Sequence, residues 1–103
     1  MILLDLEKME GFDWDKGNLV KNWYKHKVSE KEIEEVFFNE YVIFFDKQHS
    51  QTEERYVLYG SSHNNRLLTV IFTIRKFFIR IISARDQSKK EKAYYSKNTK
   101  LSI

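Results

Sequence analysis

Apolar and polar positions change their period several times along this chain, and each change marks an element. Phe12-Asp13-Trp14-Asp15 alternates apolar with acidic, the period-two pattern of a short strand. Asp15 is a helix-capping residue, and the pattern beyond it predicts a helix through about residue 26. Trp14 and Leu19 stand at the spacing of a hydrophobic staple around that start. Leu19, Trp23 and His26 share one stripe, with Asn18 and Asn22 beside it. Ser29-Glu-Lys-Glu32 is a capping box, and Val28 with Ile33 repeats the staple spacing. This second helix presents Ile33, Val36 and Phe37 as its apolar face and is expected to end near Asn39.

The period then becomes that of strands. Tyr41 to Phe45 is a β-branched and aromatic run, followed by a polar loop over residues 46–54. Arg55 to Tyr59 is a second run, expected to stop at Gly60, and Ser61 to Asn65 is turn chemistry. Leu67 to Ile74 and Phe77 to Ser83 are two more strands. Arg75-Lys76 between them demands a tight hairpin, yet neither residue favours φ > 0, so a longer loop eating into both strands is an alternative. Ser88-Lys-Lys-Glu91 is another capping box, opening a last helix that includes Tyr94 and Tyr95. The fold class is therefore α+β. Two helices precede an antiparallel meander of three to four strands, with a short strand before the first helix as an addition, and a C-terminal helix packs on one face.

Composition narrows this picture. With 103 residues the chain is expected to be one domain, 1–103, with 1–11 an N-terminal extension and 97–103 a tail that frays. Aromatics make up 16%, which predicts an aromatic-rich core, and the absence of cysteine excludes disulfides and Cys-based metal sites. No apolar run approaches the roughly 18 residues of a membrane span, and Met1-Ile-Leu-Leu4 lacks the basic flank of a signal peptide, so a cytoplasmic protein without a membrane partner is expected. The net charge of +3 is a mild lean toward polyanions. Its distribution says more: the basic residues concentrate in 75–100, from Arg75 to Lys100, against Asp86 and Glu91 alone.

Little in the sequence points to small-molecule chemistry. Three glycines leave no phosphate-cradling loop, and no GxSxG elbow is present. His26, His49 and His63 lack metal-ligand spacing, so no metal or other cofactor is expected. What remains is a basic and polar set: His26, Glu54, Arg55, Arg66, Arg80, Arg85 and Tyr94. Such a set suits cleavage of RNA by its own 2′-hydroxyl, which needs a base, an acid and cations around the charged phosphorane. Each member has a plainer role as well. Arg80 suits a cross-sheet salt bridge equally, His26 complements a helix dipole, Glu54 and Arg55 solubilise an edge, and His49 and His63 are loop residues.

Arg80-Ile-Ile-Ser-Ala-Arg85 carries the sharpest question. Side chains alternate along a strand, so Arg80 and Arg85 point to opposite faces unless the strand ends or bulges between them, and the Ser83-Ala84 step is where a break is expected.

In order and spacing, these pieces resemble the BrnT toxins of type II toxin–antitoxin modules. The matching stretches are Phe12 to Asp15, Asn22, Lys25-His26, Val28-Ser29, Val36-Phe37, His49-Ser50, Glu53 to Tyr56, Gly60, Arg66 to Leu68, Arg80 to Arg85, Glu91 and Tyr94. The resemblance implies a RelE-like α+β fold and a metal-independent ribonuclease that inhibits translation. It also implies mRNA as substrate and a BrnA-like antitoxin. That partner carries a ribbon-helix-helix domain, so operator DNA is reached only through the complex. On matching positions it assigns His26, Glu54, Arg80 and Arg85 to catalysis, with Arg80 and Arg85 on phosphate, and Arg66, Tyr94, Lys25 and Arg55 to RNA binding. Three departures stand out. Lys27 occupies a position usually held by glycine, so the first helix is expected to end without a left-handed residue. The loop between the last two strands is short, and no proline follows the second helix. About ten residues precede the usual start, which makes Met9 an alternative initiator. A rival reading is a catalytically weak or inactive basic module within a toxin–antitoxin repressor complex.

Overall fold

Local capping decides where all three helices begin. Asp15 is the N-cap of α1 (Lys16–His26), its side chain accepting from the Asn18 N–H at 3.1 Å. Ser29 and Glu32 complete a reciprocal capping box at α2 (Glu30–Val36), and Ser88 and Glu91 do the same at α3 (Lys89–Lys97). The molecule is a computed structural model that describes residues 6–49 and 52–99. The strands are β1 (Gly11–Phe12), β2 (Tyr41–Phe45), β3 (Arg55–Ser61), β4 (Leu67–Arg75) and β5 (Phe78–Asp86). They form one sheet in the order β1-β5-β4-β3-β2. Strands β2 to β5 are the expected antiparallel meander, and β1 joins parallel to β5 through Gly11 and Phe12.

One face of the sheet is the core. Tyr56, Leu58, Leu68, Val70, Phe72, Ile79, Ile81 and Ala84 are buried there beneath Val28, Ile33 and Val36. Aromatic rings run across it in contact, Trp14 to Phe12 to Phe37 to Phe72 to Tyr56 to Phe45, with centroids 5.3–5.8 Å apart. Leu6 and Met9, from the stretch expected to be an extension, also pack against this core. Helix α3 lies over one end of the opposite face, anchored by Tyr95, which is buried and donates to the Glu40 carbonyl at 2.7 Å. Of the tail expected to fray, residues 100–103 lie outside the described ones. Thr99 is buried, with Oγ1 donating to the Tyr95 carbonyl.

Four details differ from expectation: α2 stops early, β3 runs past its expected stop, β5 runs to Asp86 and not to Ser83, and α1 ends on a left-handed residue. Helix α2 stops at Val36 rather than near Asn39. Strand β3 runs through Gly60, which pairs with Tyr41 and Leu68; a Cβ there would come within 3.1 Å of the Val36 Cβ, so the glycine allows α2 to approach and does not end the strand. The hairpin between β4 and β5 is the tight one expected, not the longer loop, because Lys76 takes φ 56°. Helix α1 does end on a left-handed residue: Lys27 has φ 54°, its N–H bonds the carbonyls of Asn22 and Trp23, and its Nζ lies 5.5 Å from the Trp23 ring centroid.

Candidate functional site

The register of β4 against β5 slips by one residue between Ile71 and Phe72. Ile71 pairs with Ser83, but Phe72 pairs with Ile81, so Ile82 is an inserted residue, a β-bulge. Two asparagines of α1 take up the backbone groups on the open edge of β5 around it. Asn18 Nδ2 donates to the Ile81 carbonyl at 3.2 Å, and Asn22 Oδ1 accepts from the Ala84 N–H at 3.2 Å. In a regular strand Ile81 and Ser83 would face that edge; the bulge turns Ala84 to it instead. Asn22 is 1% exposed, so its carbonyl oxygen satisfies a buried donor that no strand reaches.

The bulge resets the alternation. Arg80 lies opposite Thr73 and Arg85 opposite Thr69, and Thr69 and Thr73 are four apart on regular β4. Both arginines therefore point to the same face, the one away from the core. The expected break exists, one residue earlier than the Ser83-Ala84 step. Arg55 also pairs with Thr73, so Arg55, Thr73 and Arg80 form one cross-strand row. The row extends to Asp46, whose N–H donates to the Arg55 carbonyl at 2.8 Å. Between this row and α3 the face carries Phe44, Val57, Ile71 and Ser83. At the helix end, Phe44, Tyr59 and Tyr94 bring their rings together, with Tyr94 43% exposed.

Arg80 and Arg85 are held by carboxylates. Arg80 Nη1 donates to Asp13 at 3.1 Å and Nη2 to Asp15 at 2.9 Å, two of its five donors. Arg85 makes a bidentate pair with Glu91 at 2.7 and 2.8 Å. Glu91 Oε1 also accepts from Thr69 Oγ1 and from the Ser88 N–H. These hydrogen bonds, those from Arg85 foremost, hold the Glu91 carboxyl down at about 2 against the opposing effect of burial. The same pair keeps the Arg85 guanidinium above its ordinary range.

Other expected site residues lie elsewhere. Arg66 is a structural hub at the end of α1. Its Nε and Nη2 donate to Asp86 at 2.8 and 3.2 Å, Nη1 to the Lys27 carbonyl and to Glu32, and Nη2 to the His26 carbonyl. It thus neutralises the carbonyl end of a helix, and the hydrogen bonds it gives Asp86 hold that carboxyl low. His26 sits beside Asp86 on the helix side of the sheet, and Lys25 is exposed on α1. Glu54 is exposed at the sheet end, accepting from the hydroxyl of Tyr56, a core-face residue, at 2.9 Å; its backbone carbonyl accepts from Thr73 Oγ1. The structure gathers Arg55, Arg80, Arg85 and Tyr94 on one face and leaves His26, Lys25 and Arg66 on the other. Sequence reasoning passed over Asp46-x-x-His49. The structure pairs these two in a 3-10 turn, His49 Nδ1 lying 3.0 Å from Asp46 Oδ2. The i, i+3 acid–histidine spacing was its visible signal.

A family model for the ribonuclease toxin BrnT, of type II toxin–antitoxin systems, matches residues 14–91. The chain belongs to this family. Among solved structures, the ribonuclease toxin BrnT of Brucella abortus has the same fold, with a TM-score of 0.58 at 21% identity over 77% of this chain and 97% of that one. No curated protein sequence matches significantly. The BrnT match spans the bulge, all the arginines of the open face and Glu91, whereas Asp13 and Tyr94 fall just outside it. No helix of the described residues is long and apolar enough to cross a membrane. Among the same residues no three His, Asp or Glu side chains converge as metal ligands.

Proposed function

We propose that this BrnT-family chain cleaves RNA on the open face of its sheet, and that the reaction needs no metal ion. The observation that carries this reading is the bulge at Ile82, which brings Arg55, Arg80 and Arg85 to one face. Arginine forks are suited to phosphate oxygens and to the charge that grows on a phosphorane. Their carboxylate partners Asp13 and Asp15 are 45% and 39% exposed on their side chains, so a phosphate competes for Arg80 from solvent. Tyr94, beside Phe44 and Tyr59, offers an aromatic surface on which an unpaired base stacks. The substrate is mRNA, the consequence is inhibited translation in the cytoplasm, and a BrnA-like ribbon-helix-helix antitoxin neutralises the protein and carries the complex to operator DNA. Proton transfer falls to a group on the arginine side of the sheet, because His26 lies behind it.

The test is cleavage of single-stranded RNA by purified protein in EDTA. Arg80→Ala and Arg85→Ala, each with folding checked by circular dichroism, should lower the rate by about 100-fold, the scale of losing one donor to a developing oxyanion. Both variants should also reduce the salt dependence of RNA binding. Folded variants that cleave as fast as the wild type would remove the open face from the reaction. Intact RNA with every form of the protein would instead make the chain a binding module of the repressor complex.

A further inference from the structure

The open face has cations and an aromatic surface, but Glu91 is saturated by Arg85, Thr69 and Ser88, and Asp13 and Asp15 hold Arg80. None of these three carboxylates is free to take the proton of the 2′-hydroxyl. Asp46 lies at the β2 end of the Arg55–Thr73–Arg80 row, opposite Arg55. The 3-10 turn after it, Lys47–His49, brings His49 back over Asp46, with Nδ1 3.0 Å from Oδ2 and 3.2 Å from Oδ1. His49, Arg55, Gln48 and Thr52 line one open cavity of about 290 Å³. The His49 side chain is 62% exposed while that of Asp46 is 17% exposed, so the carboxylate is the sheltered, fixed member and the imidazole faces solvent.

We propose that His49, oriented by Asp46, is the proton-transfer residue of the cleavage reaction, acting on RNA whose scissile phosphate is held at the Arg55 end of the arginine row. This rests on the reading of the open face given above. A carboxylate on Nδ1 fixes the tautomer that carries its proton there and leaves the Nε2 lone pair as acceptor. The proton of the 2′-hydroxyl passes to Nε2 as O2′ bonds to phosphorus. The P–O5′ bond breaks, and its electron pair leaves with O5′. Water protonates O5′, and the imidazolium returns its proton to the hydroxide so formed. The products are a 2′,3′-cyclic phosphate and a 5′-hydroxyl, with nothing oxidised or reduced. Asp46 is a positioning residue; His49 is the catalytic one. Arg55 and Arg80 flank Thr73 on adjacent strands with Cα atoms about 10 Å apart, from the strand spacing. One phosphate group or two neighbouring ones can therefore meet both forks.

The experiment uses the full chain and a fluorescently labelled single-stranded RNA. His49→Gln should lower the cleavage rate at saturating RNA by about 100-fold or more, the range for losing a general base. RNA affinity by anisotropy should stay within about threefold, since no phosphate contact is removed. The limb that the base contributes to the pH–rate profile should vanish, and added imidazole should restore part of the rate. Asp46→Asn should give a smaller loss and move that profile, which a purely structural role would not do. Because His49 is exposed, loss of folding is not the expected result, and thermal unfolding checks it. Cleavage by His49→Gln at the wild-type rate would overturn the proposal, as would its loss in Glu54→Gln alone. If Arg80→Ala and Arg85→Ala abolish cleavage while His49→Gln does not, the open face stands and His49 falls. If wild-type protein cleaves nothing, both fall.

Discussion

Replacing Glu91 by glutamine should cost this protein about 2 kcal/mol at neutral pH and almost nothing at pH 2. Glu91 caps α3, accepts from Thr69 and pairs with both terminal nitrogens of Arg85, and its carboxyl is held at about 2 from an ordinary 4.5. At 1.36 kcal/mol per pH unit, that difference is roughly 3.4 kcal/mol. The Arg85 side chain is 38% exposed, and solvent screening reduces the figure to about 2 kcal/mol. The sign follows from the depressed pKa. The contribution is nearly complete above pH 4.5 and is mostly lost by pH 2, where half of the carboxyl is already the neutral acid, an isostere of glutamine. Urea unfolding of both forms at several pH values between 7 and 2 reads the difference directly. The other carboxylates with lowered pKa, Asp86 and Glu32, are common to both forms and cancel. A gap between the two proteins that stays constant from pH 7 to pH 2 would refute the argument, because it would place the effect in packing and not in the charge.

Two further substitutions separate structure from chemistry. Asn22→Leu removes the acceptor for the buried Ala84 N–H and should cost about 1–3 kcal/mol; hydrogen exchange should show the Ala84 amide deprotected, and wild-type protection there would mean that the bulge does not depend on α1. Arg66→Met keeps the aliphatic stem but leaves Glu32, Asp86 and the carbonyls of His26 and Lys27 without their donor, so the urea midpoint should fall by about 1–3 kcal/mol equivalent. An unchanged midpoint with weakened RNA binding would return Arg66 to the substrate.

The local signals were decisive wherever their physics is local. Asp15, Ser29 and Ser88 start helices because the capping side chain and the N–H it satisfies lie within three residues of each other. The strand runs from Tyr41 to Phe45 and from Leu67 to Ile74 are legible because β-branched and aromatic side chains suit the pleated, half-buried surface of a sheet. Turn conformations were less so. Lys27 and Lys76 adopt positive φ although neither is glycine, since the surrounding elements overrule their local preference.

The sequence by itself determined the order of elements, the α+β class and the question that Arg80 and Arg85 pose, because each depends on neighbours along the chain. Only the tertiary structure decided the answer. Ile82 is extruded because β4 and β5 pair as they do and because Asn18 and Asn22, some sixty residues earlier, take the edge groups the bulge turns outward. That single inserted residue reverses the strand's parity, and it turns two arginines that alternation would separate toward one face. The carboxylates that hold them, Asp13, Asp15 and Glu91, come from elements outside the strand, whose contact with it only the fold establishes.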